Sequence, residues 1–182
     1  MGGGIYLFYL RQFQMADNTY LFHQTPKELA RDLIPFVPLV EGDRVIEPFK
    51  GEGAFYDALP AFVQKDWAEI QQDRDYQSLT ADYDWVITNP PFRLPNSKGK
   101  LANSFWMLLE YYTTRAKKGI AFLGNDYCFS TLTPSRQAIL KERGWKITKV
   151  VVCAVKKWRG RYFFFILQKE GSGFMDYLPT NY

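Results

Sequence analysis

Apolar positions along this chain switch repeatedly between helical and strand spacing. Leu29, Leu33 and Phe36 recur at the helical period. Thr25-Pro26-Lys27-Glu28 before them reads as a capping box, with Thr25 at the cap and Pro26 in the first turn. Pro35 and Pro38 end that helix. Residues 45–49 form a short strand-type run, followed by a glycine turn and a short helix that begins near Ala54 and stops at Pro60. Trp67-Ala68-Glu69-Ile70 ends a second strand, and Asp84-Trp85-Val86-Ile87-Thr88 reads as a buried third. Residues 93–103, rich in Pro, Ser, Gly, Lys and Asn, read as a mobile loop. Phe105, Leu108, Leu109 and Tyr112 then share a helical face, residues 119–124 form a strand, and Thr133-Pro134 opens a helix that Gly144 ends. Residues 146–156 and 162–167 are two strands with a short link, which predicts a β-hairpin. Alternating elements without internal repeats, closed by a hairpin, predict an α/β fold with a Rossmann-like sheet, mostly parallel with an antiparallel last strand.

Composition narrows the class. The chain has 182 residues, enough for one domain with a buried core. A hydrophobic fraction of 47% and an aromatic fraction of 18% exclude an intrinsically disordered chain. The net charge of +4 suits an anionic partner without requiring one. Cys128 and Cys153, far apart, offer neither a metal site nor a disulfide framework. A reducing, cytoplasmic compartment is the default, in a host cell if the chain is viral or carried by a mobile element. The apolar run 5–10 is too short for a signal peptide or a membrane span. Gly2 fits a myristoylation site poorly, because Tyr stands at position 6. Residues 1–19 read as a peripheral segment on a core of residues 20–170, all within one domain.

Two turns carry the chemistry. Asn89-Pro90-Pro91-Phe92 follows the buried third strand. Proline cannot continue a central strand, so a rigid, acceptor-rich turn stands at the sheet's edge, where open α/β sheets bind ligands. An adenine amine is a weak nucleophile because its lone pair is delocalised into the ring. Two acceptors aimed at its hydrogens, the Asn89 side-chain oxygen and the Pro90 carbonyl, would localise that lone pair, and Phe92 offers a flat face to a base lifted from its stack. A plain strand-to-loop turn is the alternative. The second turn, Glu47-Pro48-Phe49-Lys50-Gly51-Glu52-Gly53, joins strand to helix. Gly51 and Gly53 allow close backbone approach to a ligand, but neither the third glycine of a dinucleotide site nor the Lys-Ser/Thr of a phosphate loop follows. Acidic Glu47 suits a cationic ligand, and S-adenosylmethionine, with its ammonium and sulfonium, fits.

Together these segments resemble the S-adenosylmethionine-dependent amino-methyltransferases, especially the adenine-N6 methyltransferases of nucleic acids. The likeness covers residues 20 to 170. It implies a class I methyltransferase sheet, with S-adenosylmethionine held by Glu47, Pro48, Phe49, Gly51 and Gly53. His23-Gln24-Thr25-Pro26 is similar to the segment that closes over the cofactor. Glu69 matches the acidic residue that holds the ribose hydroxyls, and Asp75, with Asp73 as fallback, matches the one on the cofactor's adenine. Asn89, Pro90, Pro91 and Phe92 match the catalytic motif. The sequence departs from the family at Lys50 and Glu52, where a small and a less charged residue are usual. The stretch from Glu69 to Asp75 is too short for the usual helix and third strand, and no separate target-recognition domain fits the length.

Lys156, Lys157, Arg159 and Arg161, with Trp158 among them, and Arg93, Lys98 and Lys100 in the loop next to Phe92, are candidates for contact with a nucleic-acid backbone. A solvated, charged hairpin tip is the alternative. DNA is taken slightly ahead of RNA, although Phe92 and the missing recognition domain both fit RNA. A glutamine-amide methyltransferase of proteins and a non-catalytic binding subunit are the remaining alternatives. With so little surface outside the core, help from a second copy or a partner subunit is compatible with the length.

Overall fold

The structure is a computed structural model that describes residues 23–173, Lys157 and Arg159 excepted. The expected peripheral segment, the apolar run 5–10 and Gly2 lie outside the described residues. Helix α1 (Lys27–Leu33) leads through a 3-10 turn to β1 (Arg44–Glu47), α2 (Ala54–Ala58) and β2 (Gln64–Trp67). Next come β3 (Trp85–Thr88), β4 (Arg93–Pro95), β5 (Leu101–Asn103) and α3 (Ser104–Tyr112). Then follow β6 (Gly119–Asn125), α4 (Asp126–Thr131), α5 (Pro134–Glu142), β7 (Trp145–Cys153) and β8 (Tyr162–Lys169).

Six strands form one sheet in the order β2-β1-β3-β6-β8-β7. The first four run parallel, and β8 runs antiparallel to both β6 and β7. The final hairpin and the reversed strand expected from the sequence are therefore present. Between β2 and β3 the described chain holds two 3-10 turns, Ile70–Gln72 and Tyr76–Ser78, in place of a helix and strand, so β2 ends the sheet.

Alternation within each strand supplies two cores. Val86, Ile120, Phe122, Phe165 and Leu167 pack with α3 and α5 on one face. Trp85, Ile87, Ala121, Leu123, Phe164 and Ile166 pack with α1 and α2 on the other. Neighbouring side chains on a strand point to opposite faces, so a strand covered on both sides must be apolar at every position. β3 is buried at all four positions and meets that demand at Trp85, Val86 and Ile87; Thr88 ends it as a buried polar residue. Gly119 is required by this packing: a Cβ there would lie 2.0 Å from the Trp85 ring.

Three local expectations change. Residues 93–103 are not a loop but the β4–β5 hairpin, with Arg93 paired to Asn103 and Pro95 to Leu101. Its turn is held by the Asn96 Oδ1, which accepts from the Lys98 and Lys100 amides, and by Gly99 at φ +70°. A short polar side chain can thus close a turn that composition alone marks as a loop. Thr25 does not cap α1: the helix begins after Pro26 without a side-chain cap, and the Thr25 hydroxyl serves Asn89 instead. Helix α4 has no counterpart in the sequence reading; its six residues are too few to declare a period.

Candidate active site

The carboxyl ends of β1, β2, β3 and β6 converge on one edge of the sheet. Pro48 follows β1, and Gly51 (φ +52°) and Gly53 (φ +84°) form the left-handed turn into α2. Glu47, 2% exposed, sits beneath that turn and accepts from the Tyr56 amide at 2.7 Å. Burial pushes its carboxyl well above the ordinary carboxylate range, against the opposing pull of the Tyr56 N–H and the Lys50 charge. Glu69, just past β2, accepts from the Gly51 amide at 2.7 Å and the Gln71 amide at 3.0 Å. The acidic residue of the second strand is thus tied directly to the glycine turn. Lys50, unexpected at its position, carries its ammonium over the Trp67 ring, 4.2 Å from the centroid.

Asp75 accepts from the Gln77 amide at 2.8 Å and begins the second 3-10 turn. The adjacent Tyr76 packs on Phe49, with ring centroids 5.2 Å apart, which brings this turn to the mouth of the glycine turn. Asp73 is left-handed at φ 57°.

Residues 23–25 lie across both turns as a strap. The Gln24 Oε1 accepts from the Glu52 amide at 3.3 Å. The Asn89 Nδ2 donates to the His23 carbonyl at 2.9 Å and to the Thr25 Oγ1 at 3.1 Å. The His23 ring stacks on Trp158 at 5.4 Å and meets Phe92 edge-on at 5.6 Å. Burial lowers the His23 pKa. Trp158 also packs on Tyr162 at 4.5 Å, so this indole closes the site from within rather than standing free at a hairpin tip. Lys156 and Arg161 are exposed, as are Arg93, Lys98 and Lys100 of the β4–β5 hairpin; Lys157 and Arg159 lie outside the described residues.

Two clefts flank Asn89-Pro90-Pro91-Phe92. One is lined by the strap, Glu47, Phe49, Lys50, Gly51 and Asn89. The other is lined by Pro90, Pro91 and Phe92 together with Ser104, Asn125 and Tyr127 among others. The turn is rigid. Buried Ser104 donates its hydroxyl to the Pro91 carbonyl and its amide to the Phe92 carbonyl. No described side chain or loop amide donates to the Pro90 carbonyl, which leaves it as an acceptor. Sequence reasoning missed Ser104, Asn125 and Tyr127. The trace that could have found Ser104 is Asn103-Ser104 at the head of an apolar helix, where Asn103 accepts from the Phe105 amide as N-cap. Among the described residues no group of His, Cys, Asp and Glu is arranged to hold a metal ion. None of the described helices is long and apolar enough to cross a membrane. Burial pushes the thiol of Cys128, in the second cleft, up to about 12.

No protein-family model matches this sequence, and no curated protein matches it. Solved structures do resemble its fold. A protein of Listeria monocytogenes described as a class I S-adenosylmethionine-dependent methyltransferase matches with TM-score 0.64 and 15% identity, over 99% of this chain and 70% of that one. A protein of Vibrio vulnificus described as a modification subunit of a type I restriction enzyme matches with TM-score 0.61 and 15% identity, over 93% of this chain and 49% of its own. The Mtq2–Trm112 complex of E. cuniculi, responsible for methylating the translation termination factor eRF1, matches with TM-score 0.53 and 13% identity, over 82% of this chain and 99% of the other. This chain therefore spans about half of the restriction-enzyme subunit. Its fold is the Rossmann-like α/β fold of the S-adenosylmethionine-dependent methyltransferases.

Proposed function

We propose that this chain is an S-adenosylmethionine-dependent methyltransferase that modifies the exocyclic N6 amine of adenine in nucleic acid, DNA ahead of RNA. The observation that carries this reading is the position of Asn89 and Pro90 on the wall between two clefts. Asn89 borders the cleft under the strap, and Pro90 borders the one beside Phe92. A donor ligand on one side and an amine on the other would meet across the two acceptors.

The residues of the first cleft fit the cofactor. The left-handed glycine turn exposes backbone to a nucleoside, and Glu47 offers a carboxyl to a cationic ligand; outside the lining of the cleft, Glu69 and Asp75 are the acceptors expected for hydroxyl and amine hydrogens. Bound there, S-adenosylmethionine supplies an electrophilic methyl on its sulfonium. The chain's own work is positional. The Asn89 oxygen and the Pro90 carbonyl accept the two amine hydrogens and draw the nitrogen towards a tetrahedral shape, while Phe92 offers a face to the extruded base. Positioning and preorganised acceptors account for such a rate gain without a general base, since the amine's proton leaves to solvent after transfer. Arg93, Lys98, Lys100 and Arg161 are exposed cations around this edge for a phosphate backbone, and Lys157 and Arg159 complete the expected set of charges.

The test is transfer of labelled methyl from S-adenosylmethionine to single-stranded DNA, duplex DNA and RNA, with products digested to nucleosides and weighed. N6-methyldeoxyadenosine is the expected product. Asn89→Ala is expected to lower kcat by roughly 100–1,000-fold, as removal of a transition-state hydrogen-bonding group does elsewhere, while cofactor affinity stays near wild type. Retained turnover in that variant would remove Asn89 from the mechanism. A second reading, methylation of a glutamine amide in a protein, has the eRF1-methylating neighbour in its favour. Label in no nucleic acid despite measurable cofactor binding would select it, and failure to bind the cofactor would select a non-catalytic subunit.

A further inference from the structure

The polarity of the Asn89 amide is the least protected part of this site. The oxygen and NH2 of an asparagine amide have nearly the same size, so packing cannot choose between them. The choice matters for an amine substrate. With the oxygen inward, Asn89 accepts an amine hydrogen; with the NH2 inward, two donors face two donors. Hydrogen bonds alone set the orientation, and here they come from the strap. The His23 carbonyl is an acceptor that cannot reverse its role, and it takes one Asn89 N–H at 2.9 Å. The Thr25 Oγ1 accepts from the same nitrogen at 3.1 Å. The strap itself is anchored at the cofactor turn by Gln24 on the Glu52 amide, and at the far end by the His23 ring on Trp158.

We infer that the strap, through Thr25 and the His23 carbonyl, is the positioning element that turns the Asn89 oxygen towards the substrate amine. The inference rests on the methyltransferase reading above. Thr25 acts through Asn89 and not on the substrate, which explains why its hydroxyl leaves the head of α1 uncapped. The consequence is a coupling: whatever displaces residues 23–25 from the first cleft also releases the Asn89 amide, whose chain neighbour Pro90 borders the second.

Thr25→Val removes the hydroxyl at nearly constant shape, and Thr25→Ser restores it. Relative to wild type, Thr25→Val is expected to lower kcat about tenfold, the effect of one lost hydrogen bond, at saturating cofactor and with the KM for the nucleic acid little changed. Thr25→Ser is expected to recover most of that loss. A readout independent of turnover is the side-chain amide pair of Asn89 in 15N-correlated spectra, identified by its absence in Asn89→Ala. In wild type and Thr25→Ser its two protons should be well separated and slow to exchange; in Thr25→Val they should converge and exchange faster. Asn89→Asp sets a second oxygen against the His23 carbonyl, and faster amide exchange through residues 23–26 is expected. Wild-type kcat in Thr25→Val, or an Asn89 amide pair unchanged by it, would overturn the inference. If the wild-type protein methylates nothing, the functional reading fails, and the amide spectra still decide whether Thr25 orients Asn89.

Discussion

Asn89 and Glu47 illustrate two ways of holding a polar group at a sheet edge. Asn89 has its donors taken and is left with an oxygen to offer. Glu47 is an acid held under a turn, where burial raises its pKa. Its folded pKa therefore lies above the unfolded value, and folding favours the protonated form. That contribution is complete below the ordinary glutamate pKa and is lost as pH rises through the raised folded value. Glu47→Gln keeps an oxygen for the Tyr56 amide but removes the charge. It is expected to raise the melting temperature at about pH 8 and change it little at about pH 4, while weakening affinity for a cationic ligand. Thermal scans at both pH values check this; equal destabilisation at both would mean that the site holds a satisfied carboxylate.

Strand β3 is legible in the sequence because a run of aromatic and β-branched residues suits a strand covered on both faces. What that run does not reveal is its demand on a neighbour. Trp85 pairs in register with Gly119 on β6, and its ring fills the space a Cβ would need. Gly119→Ala is expected to cost about 1–3 kcal/mol through overpacking, lowering the melting temperature by several degrees. An unchanged melting temperature would mean that the indole has room to move. The β4–β5 hairpin makes the opposite case: its polar composition reads as a loop, yet Asn96 closes two amides across the turn. Asn96→Ala is expected to speed amide exchange through residues 93–103, with the global melting temperature little changed, because the hairpin lies outside the main sheet. Hydrogen exchange followed by mass spectrometry distinguishes this from global loosening.

Two cores share one sheet, and β8 contributes to both. Phe164 and Phe165 are adjacent in sequence, fully buried, and belong to opposite faces. Replacing either by Ala is expected to cost about 3–5 kcal/mol. If the sheet couples the layers, both variants should still melt in one cooperative transition, seen alike by tryptophan fluorescence and circular dichroism. Separate transitions would mean that the layers unfold independently. The same sheet gathers the site. The glycine turn, Glu69 and the Asn89-Pro90-Pro91-Phe92 turn lie at the ends of neighbouring parallel strands, which is why segments distant in the chain meet there.

The alternation of strands and helices, the reversed final hairpin and the two turns at the ends of β1 and β3 were legible in the chain, because burial on both faces, glycine at positive φ and proline at a strand end each leave a local mark. Tertiary structure decided the rest. Thr25 carries the signature of a helix cap and yet bonds Asn89, 64 residues away. Trp158 sits among basic residues and yet stacks on His23. In both cases the local pattern offered one partner and the fold brought a better one within reach. A hydroxyl or an aromatic ring binds whatever its neighbours in space allow, and the chain order does not name those neighbours.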